Sequence, residues 1–247
     1  MLHFRPLWKL TFASGILFAI LISLGVWQLE RLQWKLDLIA QVNRNMHAAP
    51  ISPDAALAMG AAAQYRRVAF DGRFDNAKEA YVFGTDAGAP IYHVIVPFAL
   101  RDGRVFLVDR GVVPKEKLDP AMRSTGRIAG DTRIVGVWRT PDPPGAFTPA
   151  PDIAHRIWFA HDVTGIAKSD GITTLAAPVV IEADATPNSG GWSKGGQTVV
   201  TFRNEHLQYA ITWFGLAAVL FGVYVAYHIS HGRLRFGEPI SSKDCNL

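Results

Sequence analysis

Residues 10–29 read LTFASGILFAILISLGVWQL, a run of 20 residues without a charged side chain. A helix rising 1.5 Å per residue needs about 20 apolar residues to cross a bilayer core, and this run supplies them. A cleaved signal peptide has a shorter apolar core, about 7–15 residues, followed by small residues. Here WQLER stands at 27–31, so the run reads as an uncleaved anchor. A second uncharged run, LQYAITWFGLAAVLFGVYVAY, occupies residues 207–227. Two spans put both chain ends on one side of the membrane. They divide the chain into a tail (1–9), a first transmembrane helix (10–29), a β-rich extramembrane domain (30–206), a second transmembrane helix (207–227) and a tail (228–247). Gly15, Ala19 and Ser23 recur every fourth residue in the first run, as do Ala218 and Gly222 in the second, and such spacing predicts a close helix pair.

The sequence pI is 9.3, but the surplus charge is unevenly placed. From Glu30 to Gln208 there are 20 Lys or Arg against 19 Asp or Glu, whereas the tails carry Arg5, Lys9, Arg233, Arg235 and Lys243 against Glu238 and Asp244. Basic excess beside membrane spans suits anionic lipid and argues against a nucleic-acid groove. The loop side of the spans has its own cations, Arg31, Lys35, Arg44, Lys194 and Arg203, so charge counting nearly ties. Because the first span usually dominates and long loops translocate regardless of charge, the expected arrangement has both tails cytoplasmic and the central domain outside. Cys245 is the single cysteine, which excludes an intrachain disulfide and cysteine-clustered zinc or copper sites.

From Gln64 onward the periodicity changes to two. Short segments rich in β-branched and aromatic residues, among them IYHVIVPFAL at 91–100 and RVFLVDRGVVP at 104–114, are separated by Gly, Pro and Asp. About eight strands are expected, the last being TVVTF at 198–202, in an antiparallel sheet or small barrel. Arg101 to Arg104, RDGR, carries the Asp-Gly signal of a tight hairpin. Pro53–Met59 and Asp162–Ser169 suit short helices, the second capped by Asp162. The Pro-rich stretch 140–151 reads as a loop, and NSGGWSKGG at 188–196 reads as a flexible joint near the membrane.

The central domain holds no nucleophile elbow, P-loop, dinucleotide fingerprint or HExxH motif, so no catalytic set is expected. His155 and His161, six residues apart on one strand, would stand about 20 Å apart, too far to share a metal; they read as structural. Asp109 and Arg110 suit an ion pair, either buried or facing a partner. At the membrane edge, His206, Tyr209, Ala210 and Trp213 follow spacings of three, four and seven, and so lie on one helical face. Trp27, Arg31 and Trp34 form a second such face, with Gln28 and Lys35 beside it. An imidazole, flat aromatic walls and nearby cations are what a haem requires, but an aromatic belt with snorkelling basic side chains uses the same residues. Composition leaves both readings open.

The motifs GVWQLERLQWK at 25–35, LVDRGVVP at 107–114 and NEHLQYAITWFGLA at 204–217 resemble the surfeit locus protein one (Shy-one) family of cytochrome oxidase assembly factors. The resemblance covers nearly the whole chain, and its third motif is the most specific. It implies a non-enzymatic bacterial inner-membrane assembly factor that binds haem a and assists its insertion into the large subunit of a haem–copper oxidase, with haem a synthase as a further partner. It implies His206 as the axial ligand of the haem iron, with Trp213, Tyr209, Trp27 and Arg31 around the macrocycle. Gly25, Gln28 and Trp34 match the first motif, and Arg110, Gly111 and Pro114 the second. The alternative is a haem-free scaffold that stabilises oxidase subunits, in which His206 is merely interfacial. Where the family's central motif usually has Asn-Arg-Gly-Trp, this chain has Asp109-Arg110-Gly111-Val112, so no role rests on a tryptophan there.

Overall fold

The structure, a computed structural model, describes residues 2–198, 200 and 202–236; the expectations for Lys243, Cys245 and the rest of the tail from 237 onward lie outside these residues. In chain order the elements are β1 (Leu2–Phe4), α1 (Trp8–His47), α2 (Pro53–Met59), β2 (Arg67–Phe74), β3 (Ala80–Asp86), β4 (Ala89–Leu100), β5 (Val105–Pro114), β6 (Asp131–Arg139), β7 (Ile157–Trp158), α3 (Val163–Ser169), β8 (Leu175–Ala183), α4 (His206–Ser230) and β9 (Leu234–Phe236). They form two compact units, Met1–Ala40 with Phe202–Leu247, and Gln41–Thr201.

In the first unit, α1 and α4 are each long and apolar enough to cross a membrane. The first apolar run continues as helix through residues 30–47, beyond what a bilayer core requires. The helices run antiparallel: Thr11 Oγ1 lies 2.7 Å from Tyr224 Oη near one end, and Phe18 faces Phe221 at 6.5 Å between ring centroids. Near the other end, a Cβ built on Gly25 would come within 2.6 Å of Phe214 Cε1, so the ring occupies the space a side chain would need. Buried Leu21, Gly25 and Gln28 form the contact face of α1, and Ala210 and Ala217 that of α4. The small-residue pattern predicted a different face. Gly15, Ala19, Ser23, Ala218 and Gly222 are exposed, and Gly15 and Gly222 would meet nothing within 4 Å. Gly25 sits two residues past Ser23, about 200° further round the helix; small residues permit close approach, but the bulk of Phe214 selects which of them is used. β1 and β9, not anticipated from sequence, pair antiparallel with Leu2 opposite Phe236.

The second unit is a barrel. Its strands follow the order β2-β6-β8-β5-β4, and β4 returns to β2 through Gly72 opposite Leu100 and Phe74 opposite Phe98. Within the ring all neighbours are antiparallel except β5 and β8. The first half of β4 also carries β3, and β3 carries β7, as a flap continuing the sheet. Alternation then sorts the side chains. Val68, Phe70, Val94, Val96, Phe98, Phe106, Val108, Trp138 and Ile181 fill the interior, with Phe70 edge-on to Phe98 at 5.5 Å. Ala80, Val82, Ile95, Leu107 and Val180 face the other way and are covered by Trp158 and by Val163 and Ile166 of α3. Both short helices form as the sequence predicts: Ser52 Oγ accepts from the Ala55 N–H, and Asp162 Oδ1 accepts from the Gly165 N–H at 2.9 Å. The hairpin at 101–104 forms too, with Gly103 at φ 89°.

One irregularity shapes the centre of the sheet. His93 pairs with Val112 but Ile95 pairs with Asp109, so β5 holds one extra residue there. Such a bulge reverses the inside-outside phase of the strand. Consequently Phe106 and Val108 before it and Val113 after it all enter the same interior cluster. Gly111, within the bulge, adopts φ 102°. A Cβ there would collide with the Lys194 carbonyl, because Lys194 exchanges two backbone hydrogen bonds of 3.0 Å with Val112. Segment 188–196, expected as a flexible joint, is thus strapped to the barrel: Ser193 Oγ also donates to the Arg110 carbonyl at 2.8 Å. Loops of this composition lack secondary structure, but their glycines allow the backbone approach that fastens them. The expected strand at 198–202 is not seen, since residues 198, 200 and 202 are outside any strand and 199 and 201 are not among the described residues.

A buried polar cluster holds the flap. Arg123 donates to Glu79 and, at 3.0 Å, to Tyr81 Oη, while Tyr81 donates to Glu79 at 2.6 Å. Burial pushes the Tyr81 phenol above its ordinary range, and the hydrogen bond to Glu79 adds to this. A raised folded-state pKa stabilises below the unfolded value, about 10 for tyrosine, and that contribution is lost as pH rises above it.

Three outcomes are expected. Gly111→Ala should destabilise the chain by about 3 kcal/mol in denaturant titrations, because strain at positive φ and a backbone collision coincide. Gly103→Ala shares the positive φ but meets nothing within 4 Å, and should cost about 1 kcal/mol. Thermal melts across alkaline pH should show stability falling above about pH 10, with a shallower fall in Tyr81→Phe.

Candidate functional site

His206 is the first residue of α4, and its Nδ1 lies 2.8 Å from Oε1 of Gln28 on α1. An amide oxygen only accepts, so Nδ1 carries a proton, and in the neutral imidazole it is Nε2 that keeps the lone pair. Gln28 is buried at 9% exposure, within the face that packs against α4. The antiparallel pairing of the helices, tightened at Gly25, therefore delivers the glutamine that selects the imidazole tautomer.

The aromatic side chains around it are more open. Trp213, seven residues beyond His206, is half-buried, whereas Trp27, Trp34 and Tyr209 are 47%, 55% and 51% exposed. Arg31 lies over both indoles of its own helix, with its guanidinium carbon 5.9 Å from the Trp27 ring centroid and 5.2 Å from that of Trp34. Lys35 Nζ lies 4.9 Å from the Phe202 ring. The structure thus joins His206 to Gln28, and Trp27 and Trp34 to Arg31. Among the described residues, no hydrogen bond, ion pair or ring contact joins Tyr209 or Trp213 to Arg31. Among the described residues, Nε2 of His206 makes no hydrogen bond, and α1 carries two half-exposed indoles under a guanidinium.

The central motif forms a second constellation. Asp109, 3% exposed, is oriented by the Gly111 N–H, which donates to its Oδ1 at 2.8 Å. Its Oδ2 lies 2.7 Å from His93 Nδ1 and 3.6 Å from His161 Nε2. Burial alone would push this carboxyl up, yet the two imidazoles facing it hold it well below the usual carboxylate range. His93 is raised in return, its burial outweighed by the hydrogen bond and charge of Asp109. Arg110 does not pair with Asp109. It donates to the Gly126 carbonyl at 2.7 Å and to Asn188 Oδ1 at 2.9 Å, with its guanidinium 4.7 Å from the Phe74 ring centroid. The adjacent acid and base diverge because neighbouring residues on a strand point to opposite faces.

Sequence reading gave His161 a structural role and overlooked His93. The available signal was parity: His93 shares its side of β4 with Ile95, which stands opposite Asp109. The bulge and the return of the loop before α3 were not legible from spacing. His155, by contrast, makes only a local pair with Asp152, at 2.7 Å on the surface.

Two antiparallel helices long enough to span a membrane, within a chain that also builds a closed barrel, define a two-pass membrane protein with one β domain. The chain belongs to the SURF1 family, whose model matches residues 15–218. It is 35% identical to surfeit locus protein 1 of Takifugu rubripes over 213 residues, covering 79% of this chain and 87% of the relative. The Rattus norvegicus protein of the same name is 35% identical over 230 residues, covering 85% and 72%. The Homo sapiens protein is 34% identical over 216 residues, covering 79% and 70%. The family is known for cytochrome oxidase assembly.

The tautomer assignment has a direct check. Nitrogen-15 NMR of histidine-labelled protein in detergent should show His206 protonated at Nδ1 and not at Nε2. Gln28→Leu should abolish that preference, as should Gly25→Leu, which forces the helices apart at Phe214. An unchanged His206 spectrum in both variants would show that the glutamine does not set the tautomer.

Proposed function

We propose that this protein assists assembly of a haem–copper terminal oxidase by binding haem a at the edge of its helix pair and passing it to the oxidase's large subunit. The observation that carries this reading is the Gln28–His206 hydrogen bond, which leaves Nε2 of a half-buried imidazole free at a membrane helix terminus. A metal-binding histidine ordinarily donates its other ring N–H to an oxygen acceptor in this way, which raises its basicity and fixes its orientation. His206 would supply the axial nitrogen. Trp213, Tyr209 and Trp27 would supply apolar surface for the macrocycle, and Arg31 a cation for a propionate. The half-exposed aromatic surface suits temporary carriage, since a cargo that must be handed on cannot be fully enclosed.

In this reading both chain termini are cytoplasmic and the barrel is periplasmic, in a bacterial inner membrane, as the dominance of the first span favours. The large oxidase subunit receives the haem, and haem a synthase is the natural donor. The protein acts by binding and presentation, not by turnover. A haem-free scaffold remains the second reading, favoured by the engagement of Arg31 with two indoles of its own helix.

Purification from cells that make haem a separates the two. Parent protein should carry a haem a absorption spectrum, His206→Ala should lose it, and Gln28→Leu should weaken retention by about tenfold or more. Parent protein without haem, or His206→Ala retaining as much as the parent, would sink the haem reading. A periplasm-dependent reporter fused near Asn188 should be active; activity only from terminal fusions would reverse the orientation.

A further inference from the structure

The constellation of His93, Asp109 and His161 lies in the barrel unit and has no part in the helix-edge site. One ligand-capable atom from each residue, two imidazole nitrogens and a carboxylate oxygen, all fall within 4.8 Å of one another. They come from three places in the sequence: β4, β5 at the bulge, and the loop entering α3. Apolar residues of the covered sheet face adjoin them, since Ile95 stands opposite Asp109 and Val82 opposite His93.

Three features separate this from an ordinary buried ion pair. First, Nε2 of His161 is buried and has no hydrogen-bond partner. A buried polar atom left so is unfavourable, and native structures ordinarily give such an atom a partner. Second, Asp109 is held from behind: the Gly111 N–H engages Oδ1, and Oδ2 is turned toward both imidazoles. Metal-ligating carboxylates are held by such outer hydrogen bonds. Third, the spacing suits a shared ion. Ligands about 2.0–2.2 Å from a tetrahedral metal stand roughly 3.2–3.6 Å apart. The His161–Asp109 separation of 3.6 Å matches as it stands, and the 2.7 Å His93–Asp109 hydrogen bond would open by about 0.5–1 Å when a metal replaces its proton.

We propose that His93, Asp109 and His161 bind one divalent transition-metal ion of the nitrogen-preferring class, represented by Zn²⁺ or Cu²⁺. Two imidazoles disfavour Mg²⁺ and Ca²⁺, which take oxygen ligands, and the absence of a thiolate disfavours Cu⁺. His93 and His161 retain 22% and 27% exposure, which leaves the remaining coordination position to water or a partner's ligand. The site is independent of haem binding.

The test uses the full chain in detergent, stripped with chelator and titrated with Zn²⁺ by calorimetry. One Zn²⁺ per barrel with micromolar or tighter affinity is expected, accompanied by a rise in Tm. Asp109→Asn and His161→Ala should each weaken binding at least about tenfold and remove that rise. Asp109→Asn is nearly isosteric and keeps the acceptor for the Gly111 N–H, so it removes the ligand charge with least damage to the fold. His155→Ala, at the exposed Asp152–His155 pair, should bind as the parent does. Co²⁺ should give a ligand-field spectrum in the parent that is lost in His161→Ala, and an excess of Mg²⁺ should not displace it. No stoichiometric binding by the parent, undiminished binding in both Asp109→Asn and His161→Ala, or loss of binding in His155→Ala would each overturn the site.

Discussion

The extra residue in β5 is the constraint on which the barrel unit depends. Gly111 at φ 102° lets the strand turn its phase, so that Val113 enters the interior cluster already holding Phe106 and Val108. The same turn directs a backbone N–H at Asp109 and leaves room for the Lys194 carbonyl where a side chain would stand. Three consequences follow from one backbone conformation: a continuous core, an oriented carboxylate, and a loop strapped across the strand. Arg110 completes the clasp by reaching Gly126 and Asn188. The Asp-Arg-Gly order therefore has a physical reading without any catalytic role. The acid faces the outer side of the sheet, the base faces the inner side, and the glycine makes both possible.

In the helix pair the controlling contact is Phe214 against Gly25. Lipid offers helices little hydrophobic incentive to associate, so association rests on close packing and on polar contacts that lipid cannot satisfy. This pair has both. Thr11 and Tyr224 share a hydrogen bond near one end, and Gln28 and His206 near the other, with the glycine contact adjoining the second. A polar residue inside a membrane helix is expensive unless partnered, and glutamine in the packed face of α1 is partnered by a histidine of α4. The interaction that relieves Gln28 also selects the neutral tautomer of His206, so packing and tautomer are set together.

How much of this could be read beforehand varies with the physics involved. The spans, the short helices at Pro53–Met59 and after Asp162, and the turn at 101–104 were legible because length, capping and turn chemistry are local. Closure of the barrel was legible only as one alternative, since the β2–β4 return depends on Gly72 having no side chain against Ala99. The helix contact face was misread because several small-residue positions were available and only the partner's Phe214 distinguishes them. The joint at 188–196 was misread because glycine signals conformational freedom, whereas here it allows two backbones to meet. His206 was singled out by its motif, but its link to Gln28 required the register of two helices far apart in sequence. His93 and His161 were beyond reach, as their meeting depends on a bulge and on the path of the loop before α3.

Exposure separates the two sites in kind. Trp27, Trp34 and Tyr209 present about half their surface outward, so a flat ligand held there would be accessible along one side. On the proposed reading, retention would rest mainly on the single nitrogen of His206, whose basicity the Gln28 hydrogen bond would raise. The Asp109 constellation is the opposite case. Its carboxylate is 3% exposed and pinned by Gly111, so anything bound there is held by groups whose positions the barrel core itself fixes. The half-exposed rings of the helix pair thus contrast with the Asp109 constellation, whose rigidity follows from the strand bulge around which its domain is folded.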